Sequence, residues 1–251
     1  MTAREAALPP SYRLYHTARL ESTNDEAKAL ARKEGAGPSV VWADEQTKGR
    51  GRRGRPWISP PGNLYVSLLL YPHSSPAKAA QLGFLAALAL VEALAFEPES
   101  AVSCKWPNDV LLRGRKVAGI LIESEMGEEK TLAYLVLGLG VNLVSFPAGT
   151  DFPATSLLAE GGGNASPAVI LERFLPRFDG GLRLWQEEGF APFRASWLRR
   201  AAFLGEPIRV RLANESLEGR FVDMDEEGSL ILRSRGQTRR ISAGEVFPAA
   251  F

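Results

Sequence analysis

The stretch Lys48-Gly-Arg-Gly-Arg-Arg-Gly-Arg55, followed by Pro56-Trp57, decides how this chain is read. Gly49, Gly51 and Gly54 fit the G-x-G-x-x-G spacing of a dinucleotide-binding turn. That fingerprint needs a helix to open directly after the glycines, so that its N-terminus meets a pyrophosphate. Pro56-Trp57 and a further apolar run stand there instead, and no G-x-x-x-x-G-K-[ST] occurs, which argues against both a doubly wound dinucleotide fold and a P-loop fold. What remains is a loop with five cations and three glycines in eight residues. Glycines let the backbone wrap closely on an anion, and arginines offer planar paired donors for carboxylate or phosphate. The alternative is a solvated basic loop, which must absorb the repulsion of five like charges. On the anion reading the loop is mobile when empty and orders once an anion arrives.

Around this loop the chain is ordinary. It has 251 residues, 45% hydrophobic and 24% charged, enough for a core without staples. The formal net charge is +1, but without the five loop cations 25 basic residues face 29 acidic ones, so the excess positive charge sits in one place. A single cysteine, Cys104, excludes a disulfide framework and multi-cysteine metal sites and fits a cytoplasmic location. No apolar signal segment opens the sequence, and the longest apolar run, Leu82 to Val91, is half a membrane span and reads as a buried helix. His16 and His73 have no partner at catalytic or ligand spacing, which leaves the chemistry to Lys, Arg, Asp, Asn and backbone.

Thr23 and Glu26 form a capping-box pattern opening a helix over 24–34 that Gly35 stops. A strand follows over 39–43, the polar loop over 44–62, a buried strand over 63–71 and an apolar helix over 76–96. Short strands are expected over 101–105, 110–112, 117–124 and 131–137, with a tight hairpin at the Arg113-Gly114-Arg115-Lys116 break. Residues 167–200 read as two or three helices, or one kinked at Pro176. From Gly205 four short β runs (208–212, 218–223, 229–233, 238–241) read as a small β-barrel docked on the rest.

Three further segments carry candidate chemistry. Lys105-Trp-Pro-Asn-Asp109 sets an amide and a carboxylate near a lysine, suited to orienting a metal, a ribose or a lysine, or else simply an Asn-Asp turn over a core tryptophan. In Arg115-Lys-Val-Ala-Gly-Ile-Leu-Ile-Glu123, Lys116 stands at a strand mouth where it reaches an anion or only water. Gly138-Leu-Gly-Val-Asn142 ends a β run with two glycines and an amide, a site or a plain strand end.

In order and spacing these segments, with Ser22-Thr23-Asn24 and Gln46 upstream, resemble the biotin–protein ligases over roughly residues 15–250. The resemblance implies an α+β fold, a mixed central sheet with flanking helices of the class II synthetase type in residues 1–203, and an SH3-like β-barrel in 204–251. It implies that MgATP activates biotin to biotinyl-AMP, with transfer to a lysine of the biotin carboxyl carrier protein of acetyl-CoA carboxylase or a related carboxylase. Ser22, Thr23, Asn24 and Gln46 would bind the ureido head, and Gly49, Arg50, Gly51 and Arg52 would enclose the acyl and phosphate end. The strand side chains around Gly119 and Leu137 would line an apolar tunnel. Lys116 would sit at the reacting carboxylate and α-phosphate, Arg53 and Arg55 at the departing pyrophosphate, and Trp57, Lys105, Asn108 and Asn142 at the nucleotide. Asp109 would guide the incoming lysine. Mg²⁺ would arrive with ATP, with no protein ligands of its own.

Many bacterial members add an N-terminal DNA-binding domain. Only 21 residues precede Ser22, so the resemblance implies a monofunctional ligase without specific DNA or membrane binding, with a homodimer among its expected assemblies. Two rivals remain. Lipoate–protein ligases share the adenylation logic, but the Arg-Arg-x-x-Gly-Gly-Gly run expected of them is missing. A non-catalytic nucleic-acid-binding module would use the Arg/Gly loop and leave Lys105, Asp109 and Lys116 unexplained.

Overall fold

The structure is a computed structural model that describes residues 8–33, 35–95, 101–127, 130–163 and 165–249. A seven-stranded sheet organises it. Its strands are β1 (Arg13–Leu20), β2 (Ser39–Gln46), β3 (Leu64–Leu70), β4 (Val102–Lys105), β5 (Asp109–Leu112), β6 (Arg115–Met126) and β7 (Leu132–Val141), in the order β1-β2-β3-β7-β6-β5-β4. Only β1 and β2 run parallel, joined across the sheet by helix α1 (Thr23–Ala31); every other pair is antiparallel. A parallel pair needs such a crossover, and the crossover places the N-terminus of α1 beside the ends of β2 and β3.

Alternation along the strands divides the core in two. On one face Val41, Leu69, Tyr134 and Val136 pack against Ala27 and Leu30 of α1. On the other, Val40, Trp42, Leu64, Val66, Leu68, Leu135 and Leu137 join the apolar side chains of α3 (Leu82–Ala93) and α4 (Pro167–Glu188). Eleven of the twelve residues of α3 are buried, as a helix apolar on all sides requires. Position 81 divides the expected 76–96 helix into a short α2 (Pro76–Ala79) and α3, and residue 96 lies outside the described residues. The 167–200 segment resolves into two helices, α4 and α5 (Ala191–Arg199), with Pro176 inside α4.

The hairpin between β5 and β6 is as tight as expected, but its turn is shorter than the 113–116 break: Arg115 and Lys116 already belong to β6, and both Arg113 (φ 49°) and Gly114 (φ 75°) take the left-handed backbone that matches strand twist. Helix α1 differs from expectation at its start. Ser22 is the N-cap, its Oγ accepting from the Asp25 amide, while the Thr23 hydroxyl is spent inside the protein on Gln46 and Ser67.

The C-terminal segment forms a five-stranded antiparallel sheet, β8 (Pro207–Arg211), β9 (Ser216–Met224), β10 (Leu230–Ser234), β11 (Gln237–Ile241) and β12 (Glu245–Pro248), in the order β11-β10-β9-β8-β12. The fifth strand escapes the sequence reading. Ile208, Val210, Phe221, Met224, Leu230 and Leu232 belong to the same apolar cluster as α3, so the two sheets share one core. The buried Trp106 indole donates to the Gly228 carbonyl (2.9 Å), and Gly228 (φ 88°) leaves room for the Phe84 ring.

Candidate active site

One cavity of about 380 Å³ opens over the α1 side of the central sheet, between the Arg/Gly loop, β6, β7 and the C-terminal sheet. Of the residues singled out in the sequence, Ser22, Thr23, Asn24, Gln46, Arg50, Gly51, Arg52, Arg55, Trp57, Lys105, Asn108, Asp109, Lys116, Gly119 and Asn142 all line it. The topology explains the gathering: β2 and β3 hold the helix start, whereas β5, β6 and β7 present Asp109, Gly119 and Gly140 in one row, since Asp109 pairs with Gly119 and Gly119 with Gly140.

Three residues fall elsewhere. Leu137 points to the opposite face of the sheet, into the core under α3, because strand alternation gives the cavity its even-numbered neighbours Gly138 and Gly140. Arg53 is exposed in the 3₁₀ turn Arg52–Gly54, at a positive φ of 56°, outside the cavity. Gly49 closes the neck of the loop, where a Cβ would stand 2.5 Å from the Trp57 carbonyl and the Ser59 hydroxyl.

At one end of the cavity is a polar network. Gln46 Oε1 accepts from the Thr23 amide (2.8 Å) and hydroxyl (3.0 Å), and Gln46 Nε2 donates to Ser59 Oγ (3.1 Å). Ser67 Oγ lies 2.7 Å from Thr23 Oγ1 and 2.6 Å from Asn24 Oδ1, and Asn24 Nδ2 donates to Glu123 Oε2 (2.6 Å). Ser67 and Glu123 are functional candidates the sequence reading passed over. Ser67 is the one small polar side chain in the buried run Leu64–Leu70, a signal that was available.

Glycines shape the floor. A Cβ on Gly140 would stand 2.5 Å from the Trp57 indole and one on Gly119 3.1 Å away, so the paired glycines let the tryptophan lie flat on the sheet. Gly138 gives way in the same manner to the Asn24 amide.

At the other end lie the cations. Asp109 is buried between Lys105 (2.9 Å) and Lys116 (2.6 Å). Burial alone would raise its pKa, but the two ammonium groups overcome this and hold the carboxylate well below its usual range. Lys116 also stands 5.3 Å from the Trp57 ring centroid, and Lys105 lies 4.4 Å from that of Phe152. Asp109, expected to guide an incoming lysine, already has two lysines of its own. Asn142 is buried and donates to the Thr155 carbonyl (3.0 Å).

The loop charges are disposed differently from expectation. Their repulsion is met inside the protein: Lys48 pairs with Glu21 (2.7 Å), Arg50 with Asp25 (2.5 Å) and Glu123 (2.9 Å), and Arg55 with Glu245 of β12. Hydrogen bonding from Arg50 holds Asp25 below the ordinary carboxylate range. Among the described residues neither Arg52 nor the exposed Arg53 has a carboxylate partner, and of the two only Arg52 lines the cavity. Among the described residues the Arg52 guanidinium donates only to the Asn108 side-chain oxygen (3.0 Å) and the Gly244 carbonyl (3.1 Å), and burial lowers its pKa. A desolvated cation bonded to neutral oxygens, with Lys116 across the same cavity, forms a receptor for an anion.

Comparison with known proteins agrees with this geometry. Residues 17–142 match the model of the biotin/lipoate A/B protein ligase family, and residues 203–247 match that of the biotin protein ligase C-terminal domain. The chain is 45% identical over 237 residues to a biotin–[acetyl-CoA-carboxylase] ligase of Paracoccus denitrificans, covering 92% of this chain and 98% of that one. It is 33% identical to the bifunctional ligase/repressor BirA of Bacillus subtilis, covering 93% of this chain and 73% of that one. Among solved structures, the biotin protein ligase of Aquifex aeolicus in complex with biotin and ATP superposes with a TM-score of 0.80 at 30% identity, over 94% of this chain and 97% of that one. The chain belongs to the biotin/lipoate A/B protein ligase family.

Proposed function

We propose that the protein is a biotin–protein ligase, which uses ATP to activate biotin and transfers it to a lysine of a carrier domain of acetyl-CoA carboxylase or a related carboxylase. The observation that carries this is a cavity with a hydrogen-bonding network at one end and Arg52 and Lys116 at the other. Such a cavity suits a ligand with a neutral polar head and an anionic tail. The match of residues 203–247 to a biotin ligase C-terminal domain favours biotin over lipoate.

In the first step a carboxylate oxygen of biotin attacks the α-phosphorus of ATP, the bond to the β-phosphate oxygen breaks, and pyrophosphate leaves. Two anions must be brought together, so the protein's work is neutralisation and positioning. Arg52 and Lys116 fit that work, with Asp109 holding Lys116 in place; Mg²⁺ would arrive on the ATP phosphates. Ser22, Thr23, Asn24 and Gln46 would take the ureido head, and Lys105, Asn108, Asn142 and Trp57 the nucleotide side. In the second step a neutral lysine amine of the carrier attacks the acyl carbon, AMP departs and the amine loses a proton. Activation would fall to residues 1–203, with 204–251 closing the cavity; that Glu245 and Phe247 line it supports this reading.

The test is biotin-dependent exchange of labelled pyrophosphate into ATP. The wild type should catalyse it with biotin, and Lys116→Ala should lose it by at least about a hundredfold while binding biotin nearly as well. Exchange near the wild-type rate in that variant would remove Lys116 from the reaction.

A further inference from the structure

Arg50 carries an arginine's five hydrogen-bond donors, and the four on its Nη atoms are all taken by protein acceptors. Nη1 reaches Ser22 Oγ (3.2 Å) and Asp25 Oδ2 (2.5 Å); Nη2 reaches Asp25 Oδ1 (2.7 Å) and Glu123 Oε2 (2.9 Å). The side chain has no fork left for a ligand anion. It ties the Arg/Gly loop to the first turn of α1, and the far anchor of that tie is Glu123 on β6.

Glu123 gathers three segments that the chain holds far apart. Beside Arg50 of the loop, its carboxylate accepts from Lys28 Nζ (2.6 Å) and Asn24 Nδ2 (2.6 Å) of α1. A carboxylate only accepts, so it dictates which end of the Asn24 amide faces it. The nitrogen turns to Glu123, and Oδ1 is left toward Ser67 and the cavity. The consequence runs along the network. With Oδ1 accepting, the Ser67 and Thr23 hydroxyls supply two protons for three contacts, to Asn24 Oδ1, between each other, and to Gln46 Oε1. One contact is short of a proton, so the network as built is rich in acceptors and suits a ligand head that brings N–H donors.

We infer that Glu123 is a positioning residue for biotin recognition, clamping the Arg/Gly loop through Arg50 and fixing the acceptor polarity of the Asn24 network. The clause about biotin rests on the ligase reading above; the clamp does not. Glu123→Gln keeps the shape, removes the charge and supplies a donor that allows the Asn24 amide to turn over. Since its side chain is one-quarter exposed, the fold should survive the change.

Two measurements test this. In hydrogen exchange, amides of residues 49–55 and Trp57 should exchange about tenfold or more faster in Glu123→Gln than in the wild type. In the biotin-dependent ATP–pyrophosphate assay, KM for biotin should rise about tenfold or more while KM for ATP stays within twofold, because Arg52, Lys105 and Lys116 do not touch Glu123. Arg50→Lys, whose single point charge cannot span Asp25 and Glu123, should reproduce both effects. Unchanged loop exchange in both variants would overturn the clamp. A parallel rise of both KM values, or neither, would overturn the biotin role. A wild type without exchange activity would instead sink the ligase reading, and the hydrogen-exchange arm would still judge the clamp.

Discussion

Asp109 shows how much one side chain organises. Its carboxylate separates two lysines in a buried space, and removing one member of a buried ion pair commonly costs about 3–5 kcal/mol. Asp109→Asn should lower unfolding stability by about that much in urea titration. The sign of the pH effect follows from the depressed folded pKa. The ionised group contributes stability above its unfolded value, near 4, and that contribution drains away as pH falls below it toward the folded pKa. Between pH 5 and 2 the wild type should therefore lose stability more steeply than Asp109→Asn; equal slopes would show that Asp109 is not held ionised. Arg50 marks the limit of reading from sequence at this scale. Its charge and its glycine neighbours were legible, but its partners Asp25 and Glu123 lie 25 and 73 residues away and only the sheet brings them together. Five cations within eight residues looked like an unneutralised cluster because the acids that pair with Lys48, Arg50 and Arg55 are dispersed along the chain.

At the scale of elements, the apolar runs of β3, β7 and α3 declared themselves by hydropathy, since each is buried on both sides. Strand β1 did not. It is an edge strand, mostly exposed, and Arg13-Leu-Tyr-His-Thr-Ala-Arg-Leu20 has no alternation to find. The last three residues of β2, Asp44, Glu45 and Gln46, read as loop because they are polar, yet β1 pairs with them and Gln46 is thereby set in the site. Glycines 119, 138 and 140 are the reverse case: their number was plain, but only the pairing of β6 with β7 shows that they form one floor. Gly140→Val should displace Trp57 from that floor. The expected outcome is a shifted tryptophan emission and an affinity for biotin weakened about tenfold or more by calorimetry, since an overpacked site moves its backbone. An unshifted spectrum with wild-type affinity would show that the floor is not closed by Trp57.

At the scale of the whole molecule, the larger of the two cores runs from α3 under the central sheet into the C-terminal strands and joins the two sheets. The C-terminal sheet also reaches the site directly, through Arg55 to Glu245 and Arg52 to the Gly244 carbonyl. Unfolding in urea followed by tryptophan emission and by far-ultraviolet dichroism should therefore give coincident single transitions, and Trp106→Ala should lower both midpoints together, with a loss of about 3–5 kcal/mol in unfolding free energy. Two separated transitions would mean the sheets stand independently. The same joining explains why a near-neutral chain can house an anion site: acids elsewhere neutralise most loop cations and leave Arg52 and Lys116 turned inward.

The central claim is that this cavity activates biotin for transfer to a lysine. Incubating the protein with MgATP, an equimolar mixture of biotin and lipoate, and a biotin carrier domain of acetyl-CoA carboxylase, then weighing the carrier intact, tests it most directly. The account predicts a gain of one biotinyl group, abolished when the acceptor lysine is replaced. A carrier that gains a lipoyl group, or nothing, would contradict it.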